Sequence, residues 1–221
     1  MTSPSHLFHD TYYHIYNRGV NREDVFIEER NYGYFLLLYT KYIQTVAQTF
    51  AYCLLKNHFH LLVRIKAEEE IQLPQSLDQT LNQTLRVSET LRVSRDSLRV
   101  SRDLYPSKKF ADFLNAYAKS INKAYGRTGS LFQHPFGRVP ITSDRQFFRV
   151  IAYIHQNPQK HQFVEDFRQW KYSSYHTILS EKPTHLQRST VLEWFGGKEQ
   201  YVDLHTSLVT EGQSQWFAED D

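Results

Sequence analysis

The sequence predicts an α+β domain. Three observations carry that prediction: stretches of alternating polarity that read as strands, stretches of helical apolar spacing, and their order of strand, helix, hairpin, helix, strand, helix. With 221 residues there is chain enough for one domain with appendages. A core is expected, since a domain of this size buries well over half of its unfolded surface.

Tyr12 to Arg18, YYHIYNR, alternates aromatic and polar residues and reads as a strand, with Gly19 and Asn21 marking the turn that ends it. Glu28 to Val46 reads as a helix, with Phe35, Leu38, Tyr39, Tyr42 and Val46 at helical spacing. Phe50 to Ile65, FAYCLLKNHFHLLVRI, reads as two short apolar strands joined by a polar turn at Lys56-Asn57.

Residues 67–106 differ in kind. LRVS occurs at Leu85, Leu91 and Leu98, and LRVSRD recurs. Units so short and polar cannot stack a solenoid core, and a coiled coil this brief is not stable alone. The stretch reads as a solvent-exposed, low-complexity surface insertion between two structural elements.

Lys108 to Gly126 reads as an amphipathic helix with Phe110, Phe113, Leu114, Tyr117, Ile121 and Tyr125 along one stripe, stopped by Gly126. Ser130 to Ile141 reads as a strand that Pro135 and Pro140 confine to an edge or interrupt. Ser143-Asp144-Arg145-Gln146 has the form of a capping box and opens a helix expected to end at about Asn157, before Pro158. Phe147, Val150, Ile151 and Ile154 make its buried stripe, and Arg149, Tyr153 and Asn157 form a second ridge beside it.

Trp170 and Tyr175 read as packing residues that close the domain, and His155 as structural or exposed. Thr190-x-x-Glu193 signals a short helix over Val191 to Phe195, stopped by Gly196-Gly197, and the polar tail from about residue 206 is expected to fray. The division is therefore 1–180 for the main domain, carrying the 67–106 insertion, and 181–221 for a C-terminal helical extension and acidic tail.

Composition limits the function. Aromatic residues at 15% argue against disorder. The single cysteine, Cys53, excludes an internal disulfide and suits a reducing compartment. No apolar run near the start is long enough to span a membrane and no signal peptide is visible, so a cytoplasmic protein is expected. The net charge of +2 hides an uneven distribution. Residues 85–160 carry 14 basic against 5 acidic side chains, whereas residues 161–221 carry 5 against 10. A basic middle third is the electrostatic footprint of a polyanion partner.

The chemistry centres on His58-Phe59-His60. Alternate side chains on a strand share a face, so His58 and His60 stand together while Phe59, Leu61 and Val63 face the other way. Two imidazoles so placed can share one metal ion.

Four pieces in order carry a family likeness: NHFHLLV at 57–63, RTGSLFQ at 127–133, YIHQNP at 153–158 and WKYSSY at 170–175. With the Tyr12 to Gly19 strand they span roughly residues 10–180, and the chain resembles the HUH single-tyrosine transposases that act on single-stranded DNA. The nearer likeness is to the REP-associated tyrosine transposases. Residues 67–106 depart from the family, which has a short link there. The resemblance implies a ferredoxin-like antiparallel sheet with helices mainly on one face.

It also implies that Tyr153 is the nucleophile, that His58, His60 and Asn157 hold a divalent metal, Mg or Mn, and that a covalent 5′-phosphotyrosine link conserves the energy of the broken bond for strand joining. Some relatives carry Gln where this chain has Asn157. The partner implied is single-stranded DNA with hairpin structure, met by a monomer or homodimer that associates with the nucleoid when bound. DNA contacts are expected from Arg127, Arg138, Lys119, Lys123, Lys56 and Arg18. Two other readings compete. One is a domesticated nucleic-acid-binding module without cleavage. The other is a phosphodiesterase using metal-activated water, for which His14 and His134 are loose candidates as a further ligand.

Overall fold

The computed structural model describes residues 6–72 and 95–210. Its scaffold runs β1 (Tyr12–Arg18), α1 (Glu29–Ile43), β2 (Ala47–Leu54), β3 (His58–Ile65), α2 (Arg95–Ala124) and β4 (Gly137–Ile141). The sheet order is β2-β3-β1-β4 with every neighbouring pair antiparallel. This is the ferredoxin-like plan. β1-α1-β2 and β3-α2-β4 are each crossovers between parallel strands with one strand between them, and the right-handed rule puts both helices on one face. They meet there in a common core of Phe35, Tyr39, Phe113 and Tyr117 with Phe59 and Leu61 of β3.

Helices lie on both faces, however. α3 (Asp144–Lys160) covers the opposite face together with α4 (Tyr175–Leu179), α5 (Arg188–Phe195) and α6 (Lys198–Thr210). The expectation of helices mainly on one face thus describes α1 and α2 alone. The reason lies in β2 and β3: Phe50, Ala51, Cys53 and Leu62 point away from α1 and α2, and Val150, Ile151 and Ile154 of α3 bury them. A sheet with apolar side chains on both sides requires two covering layers.

Several boundaries differ from the sequence reading. α2 begins at Arg95, so residues 95–106 continue this helix instead of belonging to a surface insertion, and Pro106 lies inside it. Leu and Arg are good helix formers, which the LRVSRD copy at 98–103 supplies. The LRVS copies at Leu85 and Leu91 lie outside the described residues. The strand expected over 130–141 contracts to Gly137–Ile141, with Pro140 on the edge strand. α3 passes Pro158 and ends at Lys160, because the final turn closes through His161 N–H donating to the Asn157 carbonyl at 2.9 Å. Ser143 Oγ accepts the Gln146 N–H at 3.3 Å and caps the start. α5 begins at Arg188, which leaves Thr190 in the first turn and not at a cap. Gly196 ends α5 at φ 83°, a left-handed conformation that glycine takes at little cost. α6 had no clear sequence signal, since its buried residues Tyr201 and His205 sit in a mixed-polarity stretch.

Candidate active site

β1 and β3 lay out the site by register. On the face beneath α3, Tyr16 stands opposite His60 and Arg18 opposite His58. His58 and His60 are buried, at 4% and 1% exposure, not partly exposed as strand residues often are. α3 causes that burial and brings Tyr153 and Asn157 down from above.

Each imidazole is oriented by its Nδ1. His58 Nδ1 lies 2.6 Å from Asn57 Oδ1. An amide oxygen only accepts, so the proton sits on Nδ1 and the Nε2 lone pair faces the site. His60 Nδ1 lies 2.9 Å from His14 Nε2. A proton donated from His60 to His14 leaves His60 Nε2 in the same state. The Asn157 amide is held by its Nδ2, which donates to the Tyr153 carbonyl at 3.2 Å. Among the described residues, His58 Nε2, His60 Nε2 and Asn157 Oδ1 are buried polar atoms of this site that find no hydrogen-bond partner. Buried polar atoms are nearly always paired, so a cluster of orphans on three side chains asks for a missing ligand.

Electrostatics favour neutral imidazoles. Burial, the chief cause, pushes His58 and His14 down to about 3 and His60 well below its ordinary value. The nearby His161 and Arg18 push His58 and His60 the same way, whereas the Asn157 side chain pulls His58 upward. A neutral imidazole is the form that ligates a metal.

Tyr153 sits edge-on to this pair. Its ring centroid is 5.5 Å from that of His60 and 5.8 Å from that of His14, and Lys160 Nζ lies 5.2 Å from the ring centroid. The late helix therefore brings its phenol ring, within one chain, against His60 of the early hairpin and His14 of β1. A cleft of about 350 Å³ opens beside His58 and His60, which line it together with Tyr16, Arg18, Arg22 and Gln133 among others. A smaller one of about 190 Å³ shares Arg18 and Arg22 and reaches His161. Among the described residues no Asp or Glu lines either cleft, which makes both suited to an anion.

Two imidazoles and one amide oxygen suit a hard cation that keeps several waters. Among the described residues, no group of three or more His, Cys, Asp or Glu is placed to hold a metal. That composition disfavours a closed structural zinc site. The extra ligand sought for a water-activating centre is absent from the obvious candidates: His14 lies behind His60, on its Nδ1, and His134 is exposed.

The proposed DNA-contact residues divide. Arg18 lines both clefts, and Lys56 is exposed on the turn that precedes His58. Arg127 forms an ion pair with Glu23, and the Arg138 guanidinium lies 3.8 Å from the Phe136 ring centroid. Lys119 and Lys123 are exposed on α2, which packs on the sheet face away from His58 and His60, so neither lines a cleft. The sequence reading missed Tyr16, Arg22, Gln133, Lys160 and His161, and gave His14 another role. Strand alternation places Tyr12, His14, Tyr16 and Arg18 on one face and could have flagged His14 and Tyr16. Arg22 carried no such signal; its φ of 61° in a tight turn became visible only in the structure.

No protein-family model matches the chain. Over 132 residues it is 29% identical to a protein of Haemophilus influenzae (strain ATCC 51907 / DSM 11121 / KW20 / Rd) assigned as a REP-associated tyrosine transposase. That match covers 58% of this chain and 59% of the relative, so the chain spans about three fifths of the relative's length. A solved structure of a REP-associated tyrosine transposase bound to a REP hairpin shares the fold, with a TM-score of 0.50 at 16% identity over 83% of this chain and 88% of that one. The chain is thus similar in sequence to one REP-associated tyrosine transposase and in fold to another. The four motif pieces of the sequence now have places. NHFHLLV is the hairpin turn and β3, RTGSLFQ follows α2, and YIHQNP is the second half of α3. WKYSSY runs beside β2, where Leu54 N–H donates to the Tyr172 carbonyl at 3.0 Å and Ser174 N–H to the Tyr52 carbonyl at 2.9 Å. Among the described residues no helix is long and apolar enough to cross a membrane.

Proposed function

We propose that this protein is a transposase that nicks and rejoins single-stranded or hairpin DNA through a covalent 5′-phosphotyrosine at Tyr153. One observation carries the reading: Tyr153 packs against His60, whose Nε2, with His58 Nε2 and Asn157 Oδ1, forms a buried set of ligand atoms lacking partners among the described residues. The likeness to a structure solved with a REP hairpin supports DNA of that shape as substrate.

The chain's own groups divide the work. Arg18 and Arg22, at the clefts, hold the strand by its phosphates. His58, His60 and Asn157 would hold Mg or Mn. Such an ion, when bound, neutralises charge on the scissile phosphate. Tyr153 Oη attacks phosphorus, an O–P bond forms and the P–O3′ bond breaks. The phenol proton passes to water, and the departing 3′-oxygen takes one up as a hydroxyl. α3 holds the Tyr153 ring beside His60, and a nucleophile carried on a packed helix needs little ordering when the strand arrives. In the reverse step a 3′-hydroxyl attacks the phosphotyrosine, reseals the strand and frees Tyr153.

Incubation with a labelled hairpin oligonucleotide and Mg or Mn tests this. A covalent protein–DNA adduct is expected, and Tyr153→Phe should abolish it while still binding the oligonucleotide. An undiminished adduct from Tyr153→Phe would overturn the assignment of the nucleophile. Binding by the wild type without any adduct would identify a binding module instead.

A further inference from the structure

The mechanism above leaves Tyr16 without a task. Its position is unusual for a strand tyrosine. A row crosses the sheet here: Cys53 of β2, His60 of β3, Tyr16 of β1 and Gly137 of β4 occupy paired positions. The last member has no side chain. A Cβ built on Gly137 would stand 2.2 Å from Tyr16 Cζ, 2.4 Å from Cε2 and 2.5 Å from Cε1. The phenol ring therefore lies flat on the backbone of Gly137, with glycine required for the close approach.

One ring face is thus covered by backbone. The ring is only half-buried and lines the 350 Å³ cleft beside His60. It is tilted by only 31° from the His60 ring at a centroid distance of 6.1 Å, and by 32° from His14 at 5.1 Å. So the tyrosine extends the imidazole row toward the sheet edge as a flat aromatic floor. Around it stand two guanidinium groups, Arg18 and Arg22, and the exposed amide of Gln133. A flat aromatic surface, two cations lining the same cleft and an amide able to donate and accept match the chemistry of one nucleotide: a base to stack, a phosphate to hold, a base edge to bond.

We propose that Tyr16 is a base-stacking platform, on which one unpaired nucleobase next to the scissile phosphate lies with its π-face against the outer face of the ring. The proposal rests on the reading above in taking single-stranded DNA as the ligand, and it adds a binding residue that the nicking chemistry does not require. Stacking tolerates any base, so Gln133 would supply whatever preference the position shows.

The experiment measures affinity for a fluorescein-labelled hairpin oligonucleotide with a single-stranded flank, using wild type, Tyr16→Phe, Tyr16→Leu and Gly137→Ala. A set of abasic substitutions is walked along the flank. Tyr16→Phe keeps the ring and should bind within about twofold of wild type, whereas Tyr16→Leu should weaken binding by about five- to hundredfold. Gly137→Ala, whose new methyl displaces the ring, should resemble Tyr16→Leu. At one flank position the abasic substitution should cost wild type the same factor and cost Tyr16→Leu nothing more. Thermal melting of each variant separates loss of the platform from loss of the fold. If folded Tyr16→Leu and Gly137→Ala bind like wild type, or if every abasic penalty multiplies that of Tyr16→Leu, the platform is wrong. Adduct formation is scored in the same samples. An intact abasic cycle without adduct would sink the strand-transfer reading and leave the platform standing, whereas full adduct with no abasic coupling would sink the platform alone.

Discussion

His14 shows how much one buried side chain can decide. Its Nε2 sits 2.9 Å from His60 Nδ1, and that contact selects which nitrogen of His60 turns toward Asn157 and Tyr153. On the proposed reading, replacing His14 with Ala should weaken Mn or Mg dependence by about ten- to hundredfold, the usual cost of losing a group that orients a metal ligand. A Mn titration of adduct formation measures this. His14→Gln, which still offers an acceptor to His60, should recover part of the loss. If neither variant shifts the metal midpoint, His14 is only a packing residue. His58 and His60 were legible as a pair because strand alternation acts locally. His14 lies forty-six residues from His60, and local pattern does not encode which strand pairs with which.

At the scale of elements, the fixed position of α3 is what makes Tyr153 useful. A chain of hydrogen bonds ties this helix to β2 and α6. Tyr52 N–H donates to Ser174 Oγ at 2.8 Å, and His155 Nε2 lies 2.7 Å from the same hydroxyl. His155 Nδ1 lies 2.8 Å from His205 Nε2, and His205 Nδ1 lies 2.7 Å from the Tyr201 carbonyl. One order of protons satisfies every member: serine donates to His155, His155 to His205, and His205 to the carbonyl. Ser174→Ala removes the partner of both Tyr52 N–H and His155 Nε2. Leaving buried polar groups unmade costs about 1–3 kcal/mol, so the urea midpoint should fall with the slope unchanged. Unaltered stability would mean that water replaces the hydroxyl. The sequence marked His155 as facing away from the site, and the fold adds what it faces. α6, which supplies the partner, was not anticipated, because its burial depends on long-range contacts and not on a periodic stripe.

For the molecule as a whole, the order of short strands and amphipathic helices was enough to predict an α+β domain, and the family resemblance supplied the ferredoxin-like plan that β1, α1, β2 and β3 follow. The second layer was harder to foresee: a continuous apolar strand such as β3 does not say what lies on each side. That second layer buries His205 completely, against His155 of α3, Tyr175 of α4 and Tyr201 of its own helix. Burial holds His205 down to about 4, with the hydrogen bond to the Tyr201 carbonyl opposing it weakly. In the unfolded chain the same imidazole titrates near 6.5. Below that pH the unfolded state binds a proton that the folded state refuses, so stability falls as pH drops from about 6.5 toward 4 and is untouched above 7. For His205 alone the loss at pH 5 is about 2 kcal/mol. A chain of this length would then melt roughly 4–8 °C lower at pH 5 than at pH 7.5 through this residue. His205→Gln, which keeps a polar group but cannot titrate, should be less stable than wild type at pH 7.5 and show a flatter decline toward pH 5. Parallel declines in the two proteins would show that acid enters the fold elsewhere, and that the second layer is not its pH-sensitive part.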